Sequence, residues 1–240
     1  TRVDGGRLRP RGLFSMLKPP LCRSMRSRMS RIRLFLACLA ALWLAGCVTV
    51  TPEVKKDPPP PAPLGEHAQL DQERVQRQIE RLQSGDNTTL EQVLNDPGLY
   101  PPPVLYALAV TLYQQGEVSP AMFWFYTAQL RARSDANKSL DPTTAAGVTD
   151  LAAQYSKDIP RYAIAHLDEF QPVMDHVLEW DRISHRMYDP RWVALFGKAA
   201  FTNPHIAFQP ASKWSAIDQQ TREGFQQGYE NMLRQLGARP

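Results

Sequence analysis

The stretch that decides the fold is YPPPVLYALAVTLYQQGEVSPAMFWFYTAQLRAR, residues 100–133. Apolar residues recur along both of its halves at the spacing of an α-helix. Prolines stand at the beginning of the first half, and Gly116 stands where a helix commonly ends. Ser119 and Pro120 suit the N-cap and the first position of a second helix. The stretch therefore predicts an antiparallel hairpin of two helices joined by the loop GEVS.

The second helix of this hairpin is apolar on nearly every side. Five large apolar or aromatic residues, Met122 to Tyr126, follow one another without a break. A helix of this kind usually lies at the centre of a core. The alternative interpretation is that one side of it lines a groove for a partner. Arg131 and Arg133 follow near its predicted C-terminus, where positive charge complements the helix macrodipole.

The rest of the folded part also predicts helices. An apolar stripe runs through residues 66–87 with a charged surface around it, and a short helix in TTLEQVLNDPG has Thr88 or Thr89 as its cap. No strand-like alternation is longer than a few residues. The fold is therefore predicted to be all-α, a helical-hairpin bundle. Further helices are predicted near 142–158, 160–186 with a bend at Pro172, and 215–236, with an irregular proline- and aromatic-containing segment at 187–214 and a short helix within it at 191–200.

The central hairpin resembles a tetratricopeptide or Sel1-like unit. The resemblance implies that small residues let the two helices approach closely and that aromatic residues fill the gaps between stacked units. Such families normally need three or more units, and no second clear copy is present. The pair at 142–170, with Ala145-Ala146-Gly147 and Ala152-Ala153, is a diverged candidate that lacks the spacing. The matching positions are Ala109, Leu112, Tyr113, Gly116, Ala121, Phe125 and Ala128.

A second stretch, LFLACLAALWLAGCVTV at residues 34–50, decides the compartment. Its apolar run from Leu34 to Gly46 has 13 residues, whereas a membrane-spanning helix needs about 20. Arg31 and Arg33 precede the run, and small residues close it. A positive flank, a short apolar core and a small-residue end together predict a secretory signal peptide.

The string Leu44-Ala45-Gly46-Cys47 resembles the lipobox of bacterial lipoproteins. The resemblance implies that a diacylglycerol is attached to the thiol of Cys47 and that a peptidase cleaves between Gly46 and Cys47. It also implies an acyl chain such as palmitate on the new amino terminus. By analogy with Gram-negative lipoproteins, Val48 at the next position favours the outer over the inner membrane. The alternative is a buried apolar helix with an unrelated cysteine.

These motifs divide the chain into four parts. Met29 is the natural start, so residues 1–28 are predicted to be an upstream extension that is not native; the alternative is a basic tail that binds nucleic acid or anionic lipid. Residues 29–46 are the predicted signal peptide. Residues 47–65, rich in proline, predict a lipidated extended tether. Residues 66–240 are predicted to form a single helical domain.

The charge of the chain depends on this division. The whole chain has 28 basic and 24 acidic residues, but ten of the basic residues and only one acidic residue precede Cys47. The remainder therefore has 18 basic and 23 acidic residues, a net charge of −5. An acidic chain without a basic stripe predicts no nucleic-acid partner. Cys22 and Cys38 also precede Cys47, which excludes a thiol enzyme, a thiolate zinc site and a disulfide scaffold in the mature domain.

The sequence predicts no catalytic residue, no cofactor and no metal site. Its five histidines form no H-E-x-x-H motif or ligand triad, and the G-x-S-x-G, S-x-x-K and P-loop strings do not occur. The enzyme alternative would require a pocket that gathers His166, His176 and neighbouring acids with perturbed pKa values.

The predicted function is therefore protein binding at the membrane surface, facing the periplasm. The best specific interpretation is an immunity protein that neutralises a secreted, type VI-like bacterial toxin. The alternative is a lipoprotein scaffold for envelope assembly or a cell-wall machine. Because aromatics and arginine dominate binding hot spots, the predicted contact residues are exposed aromatic and charged side chains around the irregular segment. The alternative is that its tryptophans pin that segment to the helices. The contact residues are Tyr188, Arg191, Trp192 and Trp214.

Overall fold

The computed structural model describes residues 61–238 and confirms the all-α fold, because these residues form eight α-helices, five short 3₁₀ helices and no β-strand. None of these helices is both long and apolar enough to cross a membrane. The predicted extension, the signal peptide, Cys47 with its cleavage and lipidation, and the tether up to residue 60 lie outside the described residues. The α-helices are α1 (Gln72–Gln83), α2 (Asn87–Asn95), α3 (Pro102–Gln114), α4 (Val118–Lys138), α5 (Thr144–Tyr155), α6 (Asp158–Ala165), α7 (Leu167–Ile183) and α8 (Trp214–Gln235), and the 3₁₀ helices are Gly65–Gln69, Pro97–Leu99, Pro190–Phe196, Lys198–Phe201 and Ala211–Lys213.

The predicted hairpin is formed by α3 and α4, and Gly116 ends its first helix as predicted. Gly116 has a φ of +85°, which glycine adopts without the steric cost of a Cβ. Its N–H donates to the carbonyl of Tyr113 at 3.1 Å, and the N–H of Glu117 donates to the carbonyl of Leu112 at 2.9 Å. These two bonds form a Schellman motif, which satisfies carbonyls at the helix end.

The predicted start of the second helix is wrong by two residues. The N-cap is Glu117, and α4 begins at Val118, so Ser119 and Pro120 lie in its first turn. The Schellman motif reverses the chain direction at Gly116, so the second helix begins almost directly after it and the predicted four-residue loop GEVS is shorter than expected. Pro120 is tolerated there because the first N–H groups of a helix have no intrahelical partner.

Helix α4 lies at the centre of the bundle, as its apolar sequence predicted. It contacts α3, α5, α6, α7, α8 and the 3₁₀ helix at Pro190–Phe196. Met122 and Phe125 are buried, and Trp124 packs edge-on against Trp180 of α7 at a ring distance of 5.3 Å. These large apolar side chains therefore fill the core.

Two further predictions of local structure are wrong. The cap of α2 is Asp86, whose carboxylate accepts from the N–H groups of Thr88 and Thr89, so neither threonine is the cap. The short helix predicted at 191–200 is two 3₁₀ helices separated by Gly197.

The single bent helix predicted at 160–186 is instead two helices, α6 and α7, which are divided at His166. His166 has φ and ψ of −131° and 65°, outside the helical region, and α7 begins at the next residue. Pro172 lies inside α7 and is exposed. Pro172 is the sixth residue of α7 and removes one intrahelical hydrogen bond, but the helix continues through it. The non-helical φ and ψ of His166 separate α6 from α7 instead.

The irregular segment packs closely against α5 through Gly147. A Cβ at this position would overlap the backbone oxygen of Phe196. The close neighbour of Gly147 is thus the irregular segment, and helix-to-helix packing through residues 145–147, as in a repeat unit, stays a prediction. The segment is also bonded to the end of α4, where the N–H of Gln209 donates to the carbonyl of Lys138 at 2.8 Å.

Two glycine-to-alanine substitutions test this packing. Gly147→Ala should lower the free energy of unfolding by about 1–3 kcal/mol, because backbone must move to admit the methyl group. Gly224→Ala is the matched control: it lies in α8, where a Cβ meets nothing within 4 Å, so better helix propensity should raise stability by up to about 1 kcal/mol. Urea unfolding of both variants measures this, and equal effects of the two substitutions would contradict the close approach.

Candidate functional site

The described residues form a groove of about 1280 Å³. Its walls come from α1, the start of α3, the end of α5 and residues 187–196. A depression of about 670 Å³ shares Val110, Gln154 and Tyr155 with it and continues between α3, α5 and α6. Together they form one elongated surface, which we name the α1–α3–α5 groove. Clefts are the usual ligand-binding sites of proteins, and the lining of this one is apolar and polar in similar proportions.

Aromatic rings form much of its inner surface. Tyr155 is half-buried and stacks on the buried ring of Tyr106, with 5.3 Å between ring centroids and 18° between planes. Trp192 meets Phe196 edge-on at 5.4 Å. These rings are fixed by packing, so the groove presents rigid apolar surface.

Glutamine amides form its polar part. Six glutamines line the groove, and only Gln76 has a side-chain hydrogen bond within the described residues, to Glu80 at 3.0 Å. The others thus offer amide donors and acceptors to a ligand. They are Gln69, Gln72, Gln83, Gln114 and Gln154.

The formal charges along the groove cancel. Four carboxylates and four cations line it. By contrast, residues 61–238 as a whole carry 21 acidic and 15 basic side chains. The excess acid of the domain therefore lies outside the groove. The carboxylates are Glu66, Asp71, Asp158 and Asp189, and the cations are Arg74, Lys157, Arg161 and Arg191.

Three of the four predicted contact residues, Tyr188, Arg191 and Trp192, line this groove, and Trp214 does not. Arg191 is exposed and pairs with Asp189 at 2.6 Å, a surface pair of small energetic value. Trp192 is buried, contrary to the expectation of an exposed aromatic.

The contacts of Trp192 and Trp214 agree with the alternative interpretation, in which these side chains attach the irregular segment to the helices. The indole N–H of Trp214 donates to the carbonyl of Gln209 at 2.8 Å, and its ring lies 5.7 Å from the Nζ of Lys138. The indole N–H of Trp192 donates to Asp135 of α4 at 2.9 Å. Both side chains pin the irregular segment to the helices, and partner binding by the four residues stays a prediction.

A network of charged side chains under the groove wall was not predicted. It joins α4, α7, the segment after α7, and α8 through ion pairs of 2.7–3.8 Å. Both Tyr188 and Trp192 donate to the same oxygen of Asp135, at 3.0 and 2.9 Å. The network thus sets the position of two groove residues. Its cations are Arg131, Lys138, Arg186 and Arg222, and its carboxylates are Asp135, Asp181 and Asp218.

The prediction that Arg131 lies near the C-terminus of its helix and complements the helix macrodipole is wrong. Helix α4 continues to Lys138, and Arg131 is fully buried within it. Its Nε donates to Asp181 at 3.1 Å, its Nη2 donates to Ser184 at 2.6 Å, and its guanidinium lies 4.4 Å from the ring centre of Trp180. The sequence contained a sign of this network. Arg131, Asp135 and Lys138 are spaced so that they share one face of a helix, and in the structure that face of α4 is buried.

Burial and neighbouring charges shift the pKa values of the network in opposite directions. Burial alone raises the pKa of Asp181, but the charges of Arg186 and Arg131 outweigh it and hold that pKa below the ordinary 3.8. Burial raises the pKa of Asp135, despite the opposing charges of Lys138 and Arg186. Burial, with the adjacent Asp135 carboxylate, also raises the pKa of Tyr188 well above 10.0, so its hydroxyl remains protonated and donates.

The histidines lie elsewhere. His166 stacks on Tyr162 at 3.9 Å and His176 lies against Phe123 at 4.5 Å, and no histidine lines the α1–α3–α5 groove. In residues 61–238 no three side chains of the metal-binding types come together as a metal site.

Comparisons of the chain with models of protein families, with curated proteins and with solved structures gave no match.

Opposite pH dependences should distinguish the two buried aspartates. Asp181→Asn should cost about 3–5 kcal/mol at pH 7, because it leaves buried arginines without their charged partner. Since the pKa of Asp181 is lowered by folding, its contribution is present above pH 3.8 and is lost as the pH falls through the folded value. The gap in unfolding free energy between wild type and Asp181→Asn should therefore shrink in acid.

Asp135→Asn is the comparison variant. Because folding raises the pKa of Asp135, the wild type binds this proton more tightly when folded and gains stability from it as the pH falls. The gap between wild type and Asp135→Asn should therefore not shrink in acid. Urea unfolding at pH 7 and pH 3 measures both gaps, and parallel pH dependences would contradict the assignment.

Proposed function

We propose that this protein is a lipid-anchored, periplasm-facing lipoprotein that binds a partner protein through the α1–α3–α5 groove, and that it is an immunity protein against a secreted toxin. The observation that carries the proposal is the groove itself. It is large, and it combines fixed aromatic rings with amides that have no partner within the described residues. Buried polar network residues hold one of its walls in place, and a pre-formed site avoids the cost of ordering on binding.

The charge of the domain supports a toxin of opposite charge. The chain from Cys47 onwards has a net charge of −5. An acidic surface steers a basic protein toward it and raises the rate of encounter. Fast capture suits a protein that must neutralise a toxin before it reaches its target.

The anchor rests on the lipobox resemblance of Leu44-Ala45-Gly46-Cys47. A lipid on Cys47 would hold the domain at the periplasmic face of a membrane, with Val48 favouring the outer membrane. The N–H of Leu64 donates to the carbonyl of Ala200 at 2.8 Å and Gly65 begins a 3₁₀ helix, so both residues belong to the folded part. The 16 residues from Val48 to Pro63 would reach up to about 50 Å if extended at about 3.1 Å each. A tethered domain can then meet a toxin at a distance from the lipid surface.

Substitution of Cys47 tests the anchor. In a Gram-negative expression host, the full chain should appear in the membrane fraction with the mass of residues 47–240 plus a diacylglycerol and an acyl chain. Cys47→Ser should abolish both the lipid mass and the membrane location, because serine has no thiol to accept the diacylglycerol. A wild-type chain that keeps residues 29–46 and carries no lipid would contradict the proposal.

Substitution in the groove tests the binding site. The full chain purified with its native partners should contain one stoichiometric secreted toxin and should inhibit that toxin in vitro. Gln154→Lys places a charge on the exposed groove surface and should weaken inhibition at least about tenfold, or about 1.4 kcal/mol. Gln227→Lys is the matched control, because Gln227 is exposed on α8 away from the groove.

The outcome also separates the two functions that the sequence leaves open. Recovery of several weakly bound cell-wall or envelope-assembly proteins, with no toxin among them, would contradict the immunity function and favour a scaffold. Equal effects of Gln154→Lys and Gln227→Lys would contradict the groove as the binding site.

A further inference from the structure

We infer that the α1–α3–α5 groove takes an extended, uncharged segment of the partner, and that basic residues flank this segment. The inference rests on the proposed function, because it specifies the ligand of the same groove. It is carried by the unpartnered amides of the groove and by the balance of its charges.

The amides indicate that the ligand has backbone groups to satisfy. Gln72 and Gln83 on α1 and Gln154 on α5 have no hydrogen-bond partner within the described residues. Each carboxamide has both a donor and an acceptor, which matches the N–H and C=O of a peptide group. Amides from two different helices that line the groove can therefore bind the backbone of a polypeptide in it.

The same feature favours an extended segment over a helix. An α-helix satisfies its own backbone groups and offers only side chains to a groove. An extended or polyproline-type segment leaves its N–H and C=O groups free for recognition. The half-buried ring of Tyr155 and the apolar side chain of Val110 then contact its side chains.

The balance of charges in the groove indicates that the middle of the bound partner segment is uncharged. Among the described residues, four carboxylates and four cations line the groove, so their formal charges cancel and favour neither sign of charge on a ligand. A charge buried there would lose hydration without a dedicated partner, which is costly. An uncharged segment has no such cost.

The charges outside the groove define the flanks of the segment. The rest of the domain holds all of its excess acid, since residues 61–238 carry 21 acidic against 15 basic side chains. Lysine or arginine beyond either end of the bound segment would meet this acidic surface. Charge complementarity thus predicts a ligand that is neutral in its centre and basic at its ends.

Selection from a random library of 12-residue peptides displayed on phage tests this directly, with the full chain as the immobilised protein. Enriched peptides should contain an uncharged run flanked by lysine or arginine. A synthetic copy of an enriched peptide should keep its affinity, within about threefold, when proline replaces an interior residue that does not face an amide. A peptide that binds as a helix would lose its affinity when proline is introduced.

Two substitutions of opposite charge at one position make the test specific. Gln154→Lys and Gln154→Glu should both weaken binding of the synthetic peptide at least about fivefold, because either charge faces an uncharged segment. Gln227→Lys and Gln227→Glu should leave it within about twofold. Improvement by one of the two Gln154 variants would show that the ligand is charged at its centre and would overturn the inference.

Other outcomes also decide the question. Enrichment of acidic peptides, of peptides that bind only as helices, or of none that compete at the groove would overturn the inference. If the full chain still captures and inhibits one toxin through Gln154, the proposed function stands and only the form of the ligand is wrong. If no toxin is captured but neutral peptides with basic flanks bind the groove, the proposed function fails and the ligand class stands.

Discussion

One carboxylate oxygen of Asp135, on the central helix α4, accepts hydrogen bonds from both Tyr188 and Trp192. A buried carboxylate without partners is costly, so these bonds and the ion pair with Lys138 must form together. Tyr188 and Trp192 belong to a segment with only short 3₁₀ helices of its own. The hydrogen bonds that the buried Asp135 of α4 requires therefore set the position of this segment and of the groove wall that it forms.

The same network changes the charge that the domain presents to solvent. It places four cations with three carboxylates in a largely buried cluster. Residues 61–238 carry 21 acidic and 15 basic side chains, so 18 acidic and 11 basic ones remain outside this cluster. The domain is thus more acidic at its surface than its composition indicates, while the groove stays balanced. This separation supports long-range attraction of a basic partner together with contact through an uncharged segment.

Local patterns in the sequence predicted much of the fold. The apolar run of Met122 to Tyr126 indicated the central helix, and Gly116 indicated the end of α3, because helix period and helix termination depend on neighbouring residues. The network and the groove were beyond such patterns. Arg131 and Asp181 are 50 residues apart, and the groove combines three helices with the irregular segment. Trp192 was expected to be an exposed contact residue but is buried, because its hydrogen-bond partner Asp135 lies 57 residues away in the sequence.

The central claim is that the wall held by Asp135 and the helices opposite it form the partner-binding surface. Hydrogen–deuterium exchange of the full chain, free and bound to its purified native partner, tests this claim most directly. Binding should slow exchange in Gln72–Gln83, in the end of α5 and in residues 187–196, and leave α7 and α8 unchanged. Slowing confined to α7 and α8, with these three regions unaffected, would contradict the account.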